Sequence, residues 1–171
     1  MKIKVQELTE DAFAPFGMVL GRPGSKQPNI SDEIANVWLG FSDLMGIGSV
    51  QGRQITYLDI HSKPEKNNAI EKHNTSAEAF IPLDGRTVLM AVPAEATNAD
   101  GTPDMSKCKA FLMDGSKGVL LKKSTWHAVP YLLSDSASYL VLVDDAIIEK
   151  DDINKVSIDE IEFYFLTKDG V

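Results

Sequence analysis

Short apolar runs rich in β-branched and aromatic residues recur along the chain, at residues 3–8, 54–60, 78–82, 87–92, 108–113, 118–121 and 138–143. Runs of this length bounded by Gly, Pro, Asn and Asp predict strands, and their recurrence between turn signals predicts a β-sandwich or barrel. The separators have turn chemistry. Asp84-Gly85, Asp100-Gly101 and Asp114-Gly115 each place a glycine where a chain reversal needs positive φ, and the first and third directly join strand-like runs. Helical pattern is thin: residues 9–16 form a turn or two capped by Thr9, and Ser157-Ile158-Asp159-Glu160 has capping-box spacing. Any helices are therefore short and peripheral. Residues 21–33 and 93–107 are polar and rich in turn residues, which predicts surface loops. With no fixed-period repeat and no break in composition, residues 1–171 read as a single domain.

Composition narrows the partners. The formal charge is -8, from 25 acidic and 17 basic residues, so the averaged field repels nucleic acid and anionic lipid surfaces. It does not exclude a small anionic substrate, because one basic side chain in a pocket outweighs distant, salt-screened carboxylates. The single cysteine, Cys108, has no partner for an intramolecular disulfide or a zinc knuckle. No stretch has signal-peptide character or the length of a membrane span, so the expected location is cytoplasmic. A Ser-His-Asp hydrolase is disfavoured, since no G-x-S-x-G elbow is present and Cys108 has no histidine nearby in sequence.

The chemistry concentrates around two of the three histidines. In EKHNTSAEAFIPLDG, Glu71, His73, Glu78 and Gly85 give E-x-H-x4-E-x6-G across a strand, a turn and a second strand. Residues two apart on a strand share a face, so Glu71 and His73 are expected to look into one interior, with a hairpin-like return bringing Glu78 beside them. His127, in KKSTWHAVPYL, adds a further donor. Two imidazoles with carboxylates suit a first-row divalent metal far better than Ca or Mg, and His73, Glu78 and His127 are the candidate ligands. Spacing alone leaves open a bland alternative, a solvated Glu71 and a packed, hydrogen-bonded His127.

The H-x4-E-x6-G spacing at His73, Glu78 and Gly85, followed at a distance by His127, resembles the two motifs of cupins. Two features depart from that pattern: Glu71 stands where many cupins have their first histidine, and Lys122 and Ser124 replace the usual proline and glycine before the last one. More specifically, the chain resembles the ureidoglycolate lyase family, through AFAPFG at 12–17, Glu71 and His73, AFIPLDG at 79–85, PDMSKCKAF at 103–111, DGSKGV at 114–119 and WHAVPYL at 126–132. Residues 21–66 resemble it little.

The resemblance implies an all-β, cupin-type double-stranded β-helix (jelly-roll) barrel with short peripheral helices. It implies an enzyme of allantoin and purine breakdown that splits ureidoglycolate into glyoxylate and urea, as a homodimer. A divalent transition metal (Ni, Mn, Zn or Fe) on His73, Glu78, His127 and in some arrangements Glu71 would act as Lewis acid and template. Glu71, when not a ligand, is the candidate general base, so the catalytic set is Glu71, His73 and His127. Lys122, or its neighbour Lys123, is a candidate partner for the substrate carboxylate, with Trp126 and Tyr131 as candidate pocket walls. Two rival readings remain: another cupin enzyme, an isomerase or oxygenase on a different small acid, and a metal-free cupin that binds a small ligand without turnover.

Overall fold

The computed structural model describes residues 1–21, 27–31, 36–37, 53–144 and 152–166. The chain runs through β1 (Lys2–Glu7), helix α1 (Glu10–Phe13), β2 (Gly17–Leu20), β3 (Ile30–Ser31), β4 (Asn36–Val37), β5 (Arg53–Ile60), β6 (Ala69–Lys72), β7 (Glu78–Asp84) and β8 (Thr87–Val92). It continues through β9 (Lys109–Met113), β10 (Gly118–Leu121), β11 (Trp126–His127), β12 (Tyr131–Leu132), β13 (Ala137–Asp144), β14 (Asn154–Ser157) and β15 (Glu162–Tyr164).

Two sheets enclose the core. One is eight-stranded, in the order β14-β6-β11-β8-β9-β1-β15 with β12 also paired to β8, and the other is five-stranded, in the order β2-β10-β7-β13-β5. The principal core takes Phe80, Val119, Tyr139 and Val141 from the smaller sheet and Leu89, Phe111 and Met113 from the larger. The architecture is thus all-β and built of two facing sheets, with one short peripheral helix, as the strand-like runs of the sequence lead one to expect. A second core, with Val88, Met90, Val92 and Trp126 packed on Ile3, Val5 and Ile161, covers the opposite face of the larger sheet. Strand β8 is therefore buried along its whole length, which explains why residues 87–92 read as a continuous apolar run instead of an alternating one.

The Asx-Gly pairs all sit at positive φ: Gly85 at 75°, Gly101 at 85° and Gly115 at 91°. Two of them do more than reverse the chain. Asp84-Gly85 leads from β7 in the smaller sheet to β8 in the larger, and Asp114-Gly115 leads from β9 back to β10, so both are corners of the barrel. At Gly85 a Cβ would lie 2.3 Å from the Ser136 carbonyl oxygen, a backbone clash that reserves the position for glycine. Thr9 caps α1 as expected, its hydroxyl accepting from the Ala12 amide at 3.3 Å.

Two expectations are corrected. The Ser157–Glu160 capping-box spacing starts no helix, because Ser157 ends β14 opposite Ala69 of β6. The amides of Ile158 and Ile161 then donate to the carbonyls of Asn68 and Asn67, so long-range ladder pairing overrides a local cap signal. The return from His73 to Glu78 is also not a hairpin, since β6 and β7 belong to different sheets. Of the predicted loops, 93–107 contains a Thr97–Pro103 bridge and a 3-10 turn at Met105–Lys107, while 21–33 falls partly outside the described residues. No helix among the described residues is long and apolar enough to cross a membrane.

Candidate active site

Strand register places the first pair of functional side chains. Glu71 of β6 lies directly opposite His127 of β11, which lies opposite Ala91 of β8. Directly opposed residues share a face, and Ala91 is part of the principal core, so Glu71 and His127 belong to the barrel interior. His73 follows Glu71 by two positions and keeps to that side just beyond the end of β6. Glu78 arrives from the other sheet as the first residue of β7. The four groups converge across the barrel: Glu78 Oε2 is 2.9 Å from His127 Nε2 and 3.6 Å from His73 Nε2. One ligand atom each from Glu71, His73 and His127 lie within 4.8 Å of one another.

Both histidines are buried, and each is held by its other nitrogen. Nδ1 of His73 is 2.8 Å from the Asp152 carbonyl oxygen, and Nδ1 of His127 is 3.0 Å from the Thr125 carbonyl oxygen. A carbonyl oxygen only accepts, so both Nδ1 atoms carry the proton and donate it. In the neutral rings both Nε2 lone pairs are then left facing the cluster, the arrangement in which a carbonyl on the far ring nitrogen orients a metal-binding histidine. Glu78 Oε2 is buried with His127 Nε2 at 2.9 Å, and while that nitrogen carries no proton the oxygen has no hydrogen-bond donor. A buried carboxylate oxygen without a donor beside two aimed lone pairs fits a divalent cation.

The cluster lines a cavity of about 200 Å³, walled by Leu58, Phe80, Val141 and Val143, and no Lys or Arg is among its described lining residues. Burial penalises a charge on His127. The neighbouring Glu78 carboxylate, the Thr125 carbonyl and Glu71 together outweigh that penalty and hold its pKa above the ordinary histidine value. Cys108 is no candidate nucleophile: burial chiefly pushes its thiol up to about 12.

Lys122, Trp126 and Tyr131 are not brought to this cavity. The Lys122 ammonium donates to the carbonyl oxygens of Ala14 at 2.8 Å and Pro15 at 3.4 Å, closing off the C-terminal end of α1. Trp126 precedes His127 by one position on a strand and so takes the opposite face. There its indole N–H donates to the Thr97 hydroxyl at 3.0 Å, and the Lys72 ammonium lies 4.6 Å from the ring centroid. Tyr131 packs edge-on against Phe163 at 5.4 Å, on the outer core.

Asp152 supports the site without any sequence signal. Besides its carbonyl on His73, its carboxylate accepts from the Thr75 amide at 2.8 Å and the Thr75 hydroxyl at 2.6 Å, tying the turn after His73 to β14. Partial burial raises its pKa, but the Thr75 and Asn74 donors and the nearby His73 prevail and lower it below the usual carboxylate value. A folded-state pKa below the unfolded one means that the ionised form stabilises the fold: the contribution is present above about pH 4 and lost as acid protonates the folded group. Asp152→Asn is expected to cost about 0.5–1 kcal/mol at pH 7, with the difference from the parent shrinking toward pH 3. Urea unfolding across that range checks it, and a difference independent of pH would remove the ionic contribution.

The ureidoglycolate lyase family model matches residues 1–164, a span that includes residues 21–66. The ureidoglycolate lyase of Burkholderia mallei is 30% identical over 146 residues, covering 82% of this chain and 81% of that protein. That of Rhodobacter capsulatus is 31% identical over 150 residues (82% and 85%), and that of Schizosaccharomyces pombe 30% identical over 148 residues (74% and 76%). Among solved structures, RmlC from Streptococcus suis in complex with dTDP-D-xylose is similar with a TM-score of 0.42 at 17% identity, covering 76% of this chain and 72% of that one.

Proposed function

Because the chain belongs to the ureidoglycolate lyase family, we propose that it splits ureidoglycolate into glyoxylate and urea in the cavity formed by Glu71, His73, Glu78 and His127. The observation that supports this most is the convergence of two Nε2 lone pairs on a buried, donorless Glu78 oxygen, with Glu71 opposite His127 at the same face.

The reaction moves one proton and breaks one bond. The hydroxyl O–H loses its proton, the O–H electron pair becomes the second bond of the glyoxylate aldehyde, the C–N bond breaks, and its pair stays on the urea nitrogen, which gains a proton. Because the proton lost by oxygen equals the proton gained by nitrogen, one carboxylate is enough as base and then acid. In this proposal Glu71 fills that role. His73, His127 and Glu78 would hold a divalent transition metal, which when bound supplies Lewis-acid polarisation of a substrate oxygen. The Asp152 and Thr125 carbonyls keep both imidazoles in the tautomer this needs. The apolar walls limit water at the reacting carbon, which favours elimination within the bound molecule.

The test is glyoxylate release from racemic ureidoglycolate by the purified protein, with and without Ni²⁺, Mn²⁺ or Zn²⁺. Metal-stimulated release is expected; no release under any of these conditions would remove the ureidoglycolate assignment.

A homodimer is part of the same proposal. Its support is the outer face of the five-stranded sheet, where Ile55 and Tyr57 of β5 are exposed and pair with Leu142 and Leu140, themselves opposite Ala79 and Ile81 of β7. Sedimentation velocity should give a dimer, and a monomer at micromolar concentration would rule it out.

A further inference from the structure

A second cavity, of about 360 Å³, adjoins the site and shares Glu71 and Val129 with it. Its lining includes Lys66, Asn67, Asn68 and Lys155. Beyond the groups proposed to hold the metal, the described lining of the inner cavity offers no basic side chain for the carboxylate of an anionic hydroxy acid. Its charged lining residues are the two glutamates and the two histidines, and the whole chain carries a formal charge of -8. Lys122 is engaged with the end of α1 and does not supply one.

Strand register places a basic residue in line with the site. Lys155 of β14 lies directly opposite Glu71 of β6, and Glu71 lies opposite His127 of β11, so the three form one row on one face of the sheet. With about 4.8 Å between neighbouring strands, the Lys155 and His127 positions are about 10 Å apart, a span that a long lysine side chain and a small hydroxy acid can fill. Lys155 is exposed at the rim of this cavity, and among the described residues it makes no ion pair. In the same cavity the Asn67 side-chain Nδ2 is buried and has no acceptor. A buried donor without an acceptor and an unpaired ammonium at the rim suit a carboxylate, which only accepts, and not the N–H-rich ureido end.

We infer that Lys155 and Asn67 form the subsite that holds the substrate carboxylate, placing the hydroxyl-bearing carbon beside Glu71. The inference rests on the ureidoglycolate reading. Both residues act in binding and specificity, so their effects fall on KM.

Steady-state kinetics of Lys155→Met, Lys155→Arg and Asn67→Asp on ureidoglycolate tests it, alongside the neutral carboxamide of the substrate. Lys155→Met should raise KM about 10- to 100-fold with kcat within about threefold, the loss expected for one charge-assisted hydrogen bond. Asn67→Asp should do at least as much, Lys155→Arg should recover most of the loss, and wild type and Lys155→Met should handle the carboxamide alike. An unchanged KM in an active Lys155→Met enzyme overturns the subsite and leaves the lyase reading standing. Calorimetry with oxalurate, the 2-oxo counterpart of the substrate, separates the two ideas when wild type shows no turnover. Binding that is lost in Lys155→Met then supports the subsite while the lyase reading falls; equal binding by both proteins, or none by either, overturns the subsite as well.

Discussion

His127→Ala is expected to lower kcat/KM for ureidoglycolate by about a thousandfold or more while the barrel stays folded. The size follows from what the ring does at once: its Nε2 is 2.9 Å from Glu78 and its Nδ1 is fixed by the Thr125 carbonyl, so truncation removes a proposed metal ligand and the neighbour of a buried carboxylate together. Loss of one preorganised electrostatic partner alone typically costs about 10²–10³ in rate. The measurement is kcat/KM with far-UV circular dichroism as the folding control. Activity within about tenfold of wild type, in a folded variant, would falsify the placement of the site.

The same ring couples the site to pH. Without an ion, desolvation opposes the imidazolium, but Glu78, the Thr125 carbonyl and Glu71 raise its pKa overall. Stability from the charged ring is therefore fully present below the unfolded value of about 6.5 and lost as pH rises through the higher folded value. Metal uptake runs the other way, because binding at Nε2 expels that proton. Added Ni²⁺ or Zn²⁺ should accordingly raise Tm more at pH 8 than at pH 6, and this difference should vanish in His127→Ala.

Much of the barrel was legible because buried strands leave strong local patterns. Residues 87–92 and 118–121 coincide with β8 and β10, strands buried at every position. The edge strand β14 lacks such a pattern for the opposite reason: Asn154–Ser157 is largely exposed and polar, and its identity as a strand comes from pairing with β6, far away in sequence. In the site, the spacing of Glu71, His73 and Glu78 was informative because the period of two put the first pair on one face. The same rule, applied to the adjacent Trp126 and His127, separates them onto opposite faces, which is why the indole belongs to the outer core. Sequence makes Lys122 a candidate for the substrate carboxylate, whereas its partners in the fold are backbone carbonyls more than a hundred positions away, which leave no local signal. Asp152 was invisible for a similar reason: its hold on His73 is through a carbonyl that every residue possesses.

Glu71→Gln carries the second large effect. The change keeps the shape of the side chain and removes its ability to take a proton, so kcat should fall by about 10²–10⁴, the usual contribution of a positioned acid-base group. KM should change little, because in the proposed arrangement the substrate is held by groups other than this carboxylate. Glu71 also lies within ligand distance of both histidines, so the kinetic loss must be read together with the metal content of the variant. A large fall in kcat with a full complement of bound metal assigns Glu71 to the proton transfer and leaves His73, Glu78 and His127 as the metal-holding set. Loss of the metal along with kcat moves Glu71 into the ligand set, and the proton carrier would have to be sought elsewhere. An unchanged kcat would remove it from the chemistry.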